Sequence, residues 1–170
     1  LRGKSLNGTA NPPVSNPETE CAHVLFGNGT SVRCSGDIRT LVDWEDYINV
    51  EKTKDAKFNK LFYNCSQLTS APALPTTTLA ESCYAAMFSG CTSLETAPAL
   101  PATDLAKSCY ATMFIGCTSL ETAPALPATT LASSCYSSMF SGCTSLTAAP
   151  ALPATTLASG CCRKMFYLCE

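Results

Sequence analysis

The sequence predicts an α/β repeat solenoid, with short parallel strands along one side, short helices along the other and an N-terminal cap of a β-hairpin and a short helix. Three observations predict it. A 26-residue period runs through most of the chain, each period divides into an extended half and an apolar-striped half, and charge is concentrated ahead of the first full period.

The period is carried by several columns at once. Cys65, Cys91, Cys117, Cys143 and Cys169 are each 26 residues apart, as are Cys83, Cys109, Cys135 and Cys161. Phe62, Phe88, Phe114, Phe140 and Phe166 keep the same step, and so do Leu68, Leu94, Leu120 and Leu146. The unit reads Thr-Ser-Leu-x-x-Ala-Pro-Ala-Leu-Pro-x-Thr-x-Leu-Ala-x-x-Cys-Tyr-x-x-Met-Phe-x-x-Cys. Full copies occupy 66–91, 92–117, 118–143 and 144–169, preceded by a half copy at 58–65, so the repeat region is 58–170. A period of this length is the signature of stacked units that bury a shared core.

Within a unit, Leu105, Cys109, Met113 and Cys117 step by four, with Tyr110 and Phe114 alongside. That stripe predicts an amphipathic helix of about three turns. Thr103 or Asp104 suits its start and Gly116 its end. Leu94 to Ala97 are placed as a strand, short because Pro98 offers no N–H to a ladder and Pro101 follows.

Residues 1–57 are assigned to the cap. Of the 24 charged residues, 16 lie in 1–65. Ala22 to Phe26, the Gly27-Asn28-Gly29-Thr30 turn and Ser31 to Cys34 read as a hairpin. Ile38, Leu41 and Val42, after Ser35-Gly36-Asp37, read as a short capped helix. Residues 5–17 read as a loop.

Bulk composition excludes several classes. Net charge is −2 with 14% charged residues, which argues against a nucleic-acid surface or a polybasic membrane patch. No apolar run approaches the roughly 18 residues a membrane span needs, so no direct membrane insertion is expected. The twelve cysteines lack the paired spacing of zinc sites, and no metal or cofactor is expected. On a helix, Cys83 and Cys91 would lie about 12 Å apart. Stacked equivalents such as Cys109 and Cys135 would lie a helix-packing distance of about 8–10 Å apart. Both exceed disulfide reach. The repeat cysteines are therefore expected as reduced core residues, with a disulfide ladder as the alternative if the segment is not helical. Cys21 and Cys34 are a candidate disulfide across the hairpin. Asp43, Glu45 and Asp46 beside Trp44 lack calcium-loop spacing, and His23 has no nucleophile pattern around it. No catalytic residue is assigned.

The copies differ from one another at few places, and these mark the solvent face. Thr69, Glu95, Glu121 and Thr147 form one row, and Ser70, Thr96 and Thr122 another, flanking the strand. Stacked at about 4.8 Å per unit, they make a ribbon of roughly 15–20 Å. This is the candidate binding ribbon.

The unit resembles the BspA-like leucine-rich repeats of bacterial surface proteins. Leu100-Pro101 match that family's Leu-Pro, Cys109-Tyr110 its Ile-Gly, Met113-Phe114 its Ala-Phe and Cys117 its closing Cys. The segment Cys34-Ser35-Gly36-Asp37-Ile38, with Leu41-Val42, is similar to the entry of such arrays. The resemblance implies leucine-rich-repeat-like right-angle coils in a secreted or surface-anchored bacterial protein. It also implies adhesion-type binding of protein or glycan partners without enzymatic activity. A passive stalk, or an accessory segment of a surface glycan-degrading enzyme, is the alternative expectation. The chain starts at Leu1-Arg2-Gly3 and stops where earlier units run on into Thr-Ser-Leu, which reads as a fragment whose end near Phe166 is prone to end-to-end self-association.

Overall fold

A computed structural model describes residues 31–41, Ile48 and residues 58–169. The loop 5–17, the first hairpin strand, Cys21, His23 and the acidic group around Trp44 lie outside the described residues.

Strand β1 (Val32–Arg33) pairs in parallel with β2 (Leu68–Ser70), with Val32 opposite Leu68 and Arg33 opposite Ser70. One extra residue, Thr69, sits on the β2 side, a bulge. A 3₁₀ turn follows at Ile38–Leu41. Asp37 caps it, accepting the Arg39 N–H at 2.9 Å on Oδ1. The carbonyl of Asp37 takes the Thr40 hydroxyl at 2.7 Å. The predicted short helix is thus a single tight turn, and the predicted strand after the hairpin turn is present at Val32–Arg33. In later copies the strand expected from Leu94 to Ala97 shrinks to single bridges, Ser70 to Thr96 and Thr96 to Thr122. The cause is local, since Pro72, Pro98 and Pro124 stand two residues after each bridge and cannot donate.

The helix expected in the second half of each unit is not what these residues form. Residues 81–90, 107–116 and 133–142 are unbroken runs of turns. In each run every second N–H closes a turn onto the carbonyl three residues back: Cys83 to Ala80, Ala85 to Ser82, Met87 to Tyr84, Ser89 to Ala86 and Cys91 to Phe88. The intervening N–H groups cross to the following copy: Ser82 to Lys107, Tyr84 to Cys109, Ala86 to Ala111, Phe88 to Met113 and Gly90 to Ile115, at 2.8–3.0 Å. Every N–H from Ser82 to Cys91 is therefore satisfied without a helix. Each copy is a flat coil lying on the next.

This path needs a left-handed residue every fourth position. Ser82, Ala86 and Gly90 all have positive φ, as do Ser108, Thr112 and Gly116, and Ser134, Ser138 and Gly142. Each is the third residue of a turn, where positive φ is required for type II geometry. Glycine meets it freely at the third site of these copies, whereas the others hold a conformation costing about 1–2 kcal/mol for a residue with a Cβ.

A four-residue turn period puts pairs of side chains inward. Cys83, Tyr84, Met87, Phe88 and Cys91 are buried, and so are their equivalents in the next two copies. Identical residues stack in columns. Phe62, Phe88, Phe114, Phe140 and Phe166 lie 5.5–5.6 Å apart, ring on ring, with planes within 9°. Phe58, Tyr84, Tyr110 and Tyr136 form a second column at 5.9–6.1 Å. Such pairs contribute about 0.5–1.5 kcal/mol each beyond the area they bury. In the last copy the core opens to solvent, with Leu157 69% and Leu168 66% exposed.

The tyrosine column is unevenly satisfied. Tyr84 shares a 2.9 Å hydrogen bond with Thr76, itself buried. The position of Thr76 is alanine in the next copies, Ala102 and Ala128. The Tyr110 hydroxyl is buried with no partner among the described residues. Tyr110→Phe should therefore raise the unfolding free energy by about 1 kcal/mol, because it removes an unpaired buried hydroxyl. Tyr84→Phe should lower it by a similar amount, and denaturant melts giving the two changes the same sign would refute the assignment. Thr112, a β-branched residue at φ 55°, gives a second test. Thr112→Gly should stabilise by about 1 kcal/mol, and an unchanged or lower melting temperature would show that the left-handed path is not used there.

Candidate binding ribbon and the thiol columns

The ribbon positions come together as neighbours on consecutive coils. Ser70, Thr96 and Thr122 form one row through their parallel bridges. In the adjoining row Thr147 is tied to Glu121, its N–H and its hydroxyl both donating to the Glu121 carbonyl at 3.2 Å. The two ends of the ribbon differ. The Thr69 hydroxyl donates to the carbonyl of Val32 at 3.2 Å and the Ser70 hydroxyl to that of Cys34 at 3.3 Å, and both residues are half-buried against β1. Glu95, Thr96, Glu121, Thr122 and Thr147 are exposed. The accessible part of the ribbon is these five residues.

A feature that sequence comparison between copies missed lies beside them. Thr96 and Thr122 border an open groove of about 390 Å³ whose other walls include Ala97, Ala99, Leu100 and Pro101. A wider hollow of about 590 Å³ continues it past Ala73, Pro75 and Pro98. The Ala-Pro-Ala-Leu-Pro run is invariant among the copies, so variation could not point to it. Its signal was the proline pair, whose members have no N–H to tie them to a neighbouring coil and which line the furrow. The surface therefore offers two carboxylates and three hydroxyls along an apolar trough, a recognition surface rather than an enclosed pocket.

Two further columns concern chemistry. All eleven described cysteines are free thiols. Their coils are joined by direct backbone hydrogen bonds, so the 8–10 Å separation expected from helix packing does not apply. The closing cysteines are engaged: Cys91, Cys117, Cys143 and Cys169 donate S–H to the carbonyls of Phe62, Phe88, Phe114 and Phe140 at 3.0–3.1 Å. Those carbonyls already accept a turn N–H, so the thiol uses the second lone pair. Cys34 is a half-buried free thiol, and Cys21, its expected partner, lies outside the described residues.

Burial governs the acidity of these thiols. Cys91 is pushed up to about 12, first by desolvation and then by Cys65 beside it. Cys143 is also pushed up to about 12, and Cys135 to about 11, burial again being the first cause. Cys117 is raised well above its ordinary range for the same reason. A thiol so raised is neither a nucleophile nor a ready metal ligand near neutral pH. Among the described residues no group of three or more His, Cys, Asp or Glu is placed to hold a metal ion.

The thiols set a pH dependence. An unfolded cysteine ionises near about pH 8.5, whereas these folded ones resist, so above that pH the unfolded state releases protons the folded state retains. Stability from this source is complete below about pH 8.5 and falls as pH rises toward the folded values of about 11 to 12. The slope should reach about 1.4 kcal/mol per pH unit for each such thiol. Denaturant melts under reducing conditions from pH 8 to 11 check this, and a flat profile would contradict the buried-thiol reading.

Compared with family models, with curated proteins and with solved structures, the chain finds no match in any of the three.

Proposed function

We propose that the chain is a section of a leucine-rich-repeat-like solenoid serving as a non-catalytic interaction module at a bacterial cell surface. Its binding face is the ribbon Glu95, Thr96, Glu121, Thr122 and Thr147 with the adjoining alanine–proline furrow. The observation that carries this reading is the ribbon's composition. Glu95, Thr96, Glu121, Thr122 and Thr147 are exposed on consecutive coils, and Thr96 and Thr122 border an apolar trough walled by the invariant alanine, leucine and proline residues. The resemblance of the repeat to BspA-like units supports the surface location and the adhesion-type role.

Between protein and glycan partners the ribbon favours protein. Sugar rings are held by exposed aromatic faces, whereas the tyrosines and phenylalanines of the central copies are buried. Glu95 and Glu121 instead suit lysine or arginine side chains of a polypeptide, with its apolar side chains against Ala99 and Pro101. A passive stalk is the second reading, favoured by how few charges residues 66–170 carry. The accessory role in a glycan-degrading enzyme has no feature of this surface in its favour.

The test is binding of the full chain to arrays of surface and matrix proteins and of glycans. Protein hits are expected in the micromolar range, weakened at least about tenfold by the double change Glu95→Lys with Glu121→Lys, with an unchanged melting temperature. Absence of any hit on both arrays would leave the stalk as the better reading.

A further inference from the structure

Residues 66–143 carry five charged side chains: Glu81, Glu95, Asp104, Lys107 and Glu121. Lys107 is the one cation among them, and it lies 3.0 Å from Glu81 at the start of the turn segments. The other three are acids, all exposed, with no ion pair among the described residues. All three flank the alanine–proline furrow. Glu95 and Glu121 immediately precede Thr96 and Thr122 of its wall, and Asp104 follows Pro101 by three residues. Thr96 bridges Thr122 in register, so Glu95 and Glu121 set two like charges side by side, one coil apart.

The main chain of the furrow is unpaired as well. Ala99 and Ala125, both exposed, make no backbone hydrogen bond with any described residue. Their equivalent in the first copy shows what this position accepts. Ala73 donates its N–H to the Gly36 carbonyl at 2.8 Å and takes the Ile38 N–H at 3.0 Å. A bridged segment of different sequence is therefore docked on it, with Asp37 opposite Ala73. The furrow is apolar in its side chains, supplied with main-chain donors and acceptors, and acidic at its margins.

We propose that the furrow binds an extended polypeptide segment with an arginine at each end of a short apolar, proline-containing stretch, a partner class that rests on the ribbon being a binding face. A guanidinium carries five N–H donors in a planar fork, so one arginine serves both Glu95 and Glu121. A lysine ammonium is a point charge and bridges the two less well. The second arginine pairs with Asp104. Between them small apolar side chains lie on Ala99 and Pro101, and main chain meets main chain at Ala99 and Ala125, as when a peptide joins a sheet edge. Proline in the guest holds it extended and so lowers the ordering cost of binding. A sugar chain offers neither the two cations nor the peptide groups. The site is single. In the flanking copies Thr69 and Thr147 stand where the glutamates do, and Thr78 and Thr130 where Asp104 does.

The probe is the blocked peptide Arg-Pro-Val-Pro-Val-Pro-Arg, titrated into the full chain under reducing conditions and followed by amide NMR. Nine residue steps place Glu95 and Asp104 at most about 30 Å apart, and the peptide's span of about 20 Å plus its two long side chains covers that. Saturable shifts are expected at Thr96, Ala99, Thr122 and Ala125, with a Kd below about 1 mM at low salt. Raising the salt to about 0.5 M should weaken binding at least about threefold. Glu95→Gln with Glu121→Gln should weaken it at least about fivefold and Asp104→Asn about twofold, with unchanged melting temperatures. Lysine ends should cost about threefold in affinity, and glutamate ends should abolish binding. No saturable shift up to about 5 mM peptide would overturn the proposal, as would equal binding of the glutamate-ended peptide or full affinity in the glutamine variants. Protein hits on the arrays beside a silent peptide would remove this partner class alone and leave the ribbon as a binding face. Peptide binding without any array hit would keep the partner class and remove the adhesion role.

Discussion

Ten backbone N–H groups in each turn segment must find acceptors in a coil that has no helix to provide them. The chain divides them in half, five closing turns within the coil and five reaching the next, and most other features follow from that division. Because half of the bonds belong to a neighbour, a single unit cannot satisfy its own backbone and is stable only within a stack. Because the inter-coil bonds place equivalent residues one above another, each core position meets its own kind. The phenylalanine rings stack nearly parallel, and each closing thiol reaches the equivalent phenylalanine carbonyl. The strict 26-residue repeat is the sequence-level record of this register.

The same register explains where the core is imperfect. A substitution in one copy alters what its neighbours face, as the loss of threonine at Ala102 leaves Tyr110 without the partner that Thr76 gives Tyr84. It also explains the tolerance for strained backbone. Ser82, Ala86 and Thr112 hold left-handed conformations because turns on both sides and a coil on each face fix the path. Small side chains dominate these sites in the central copies, where a bulky one would have little room to rotate. The ion pair between Lys107 and Glu81, at 3.0 Å, follows the stacking but is well exposed and contributes little.

Much of this was legible in the sequence, and one central element was misread for a definable reason. The 26-residue step and the buried columns are both carried by the spacing of Leu, Cys, Met and Phe. The four-residue recurrence of apolar residues in the second half of the unit predicts a helix, which these residues do not form. A helix turns 100° per residue, so a strict four-residue step drifts about 40° each time and leaves one face after three steps. Real helical stripes alternate steps of three and four. Cys83, Met87 and Cys91 step strictly by four, as do Tyr84 and Phe88 beside them, and that regularity within each column belongs to a four-residue turn period. The capping of Thr69 and Ser70 by β1 was not legible, because it depends on a contact between residues more than 30 positions apart. The alanine–proline furrow was hidden by its own invariance.

One consequence of the one-way hydrogen bonding reaches beyond local geometry. Each peptide unit is a small electric dipole, and in ordinary sheets neighbouring units point in opposite senses and largely cancel. In these turn segments the units that bridge coils all point the same way, in five columns side by side, as the peptide units do along the axis of a helix. The stack is therefore electrically polar along its length, positive toward the Gly160–Leu168 face and negative toward the coil that begins at Phe58. Every coil added to it lengthens the columns and widens the separation of those two poles.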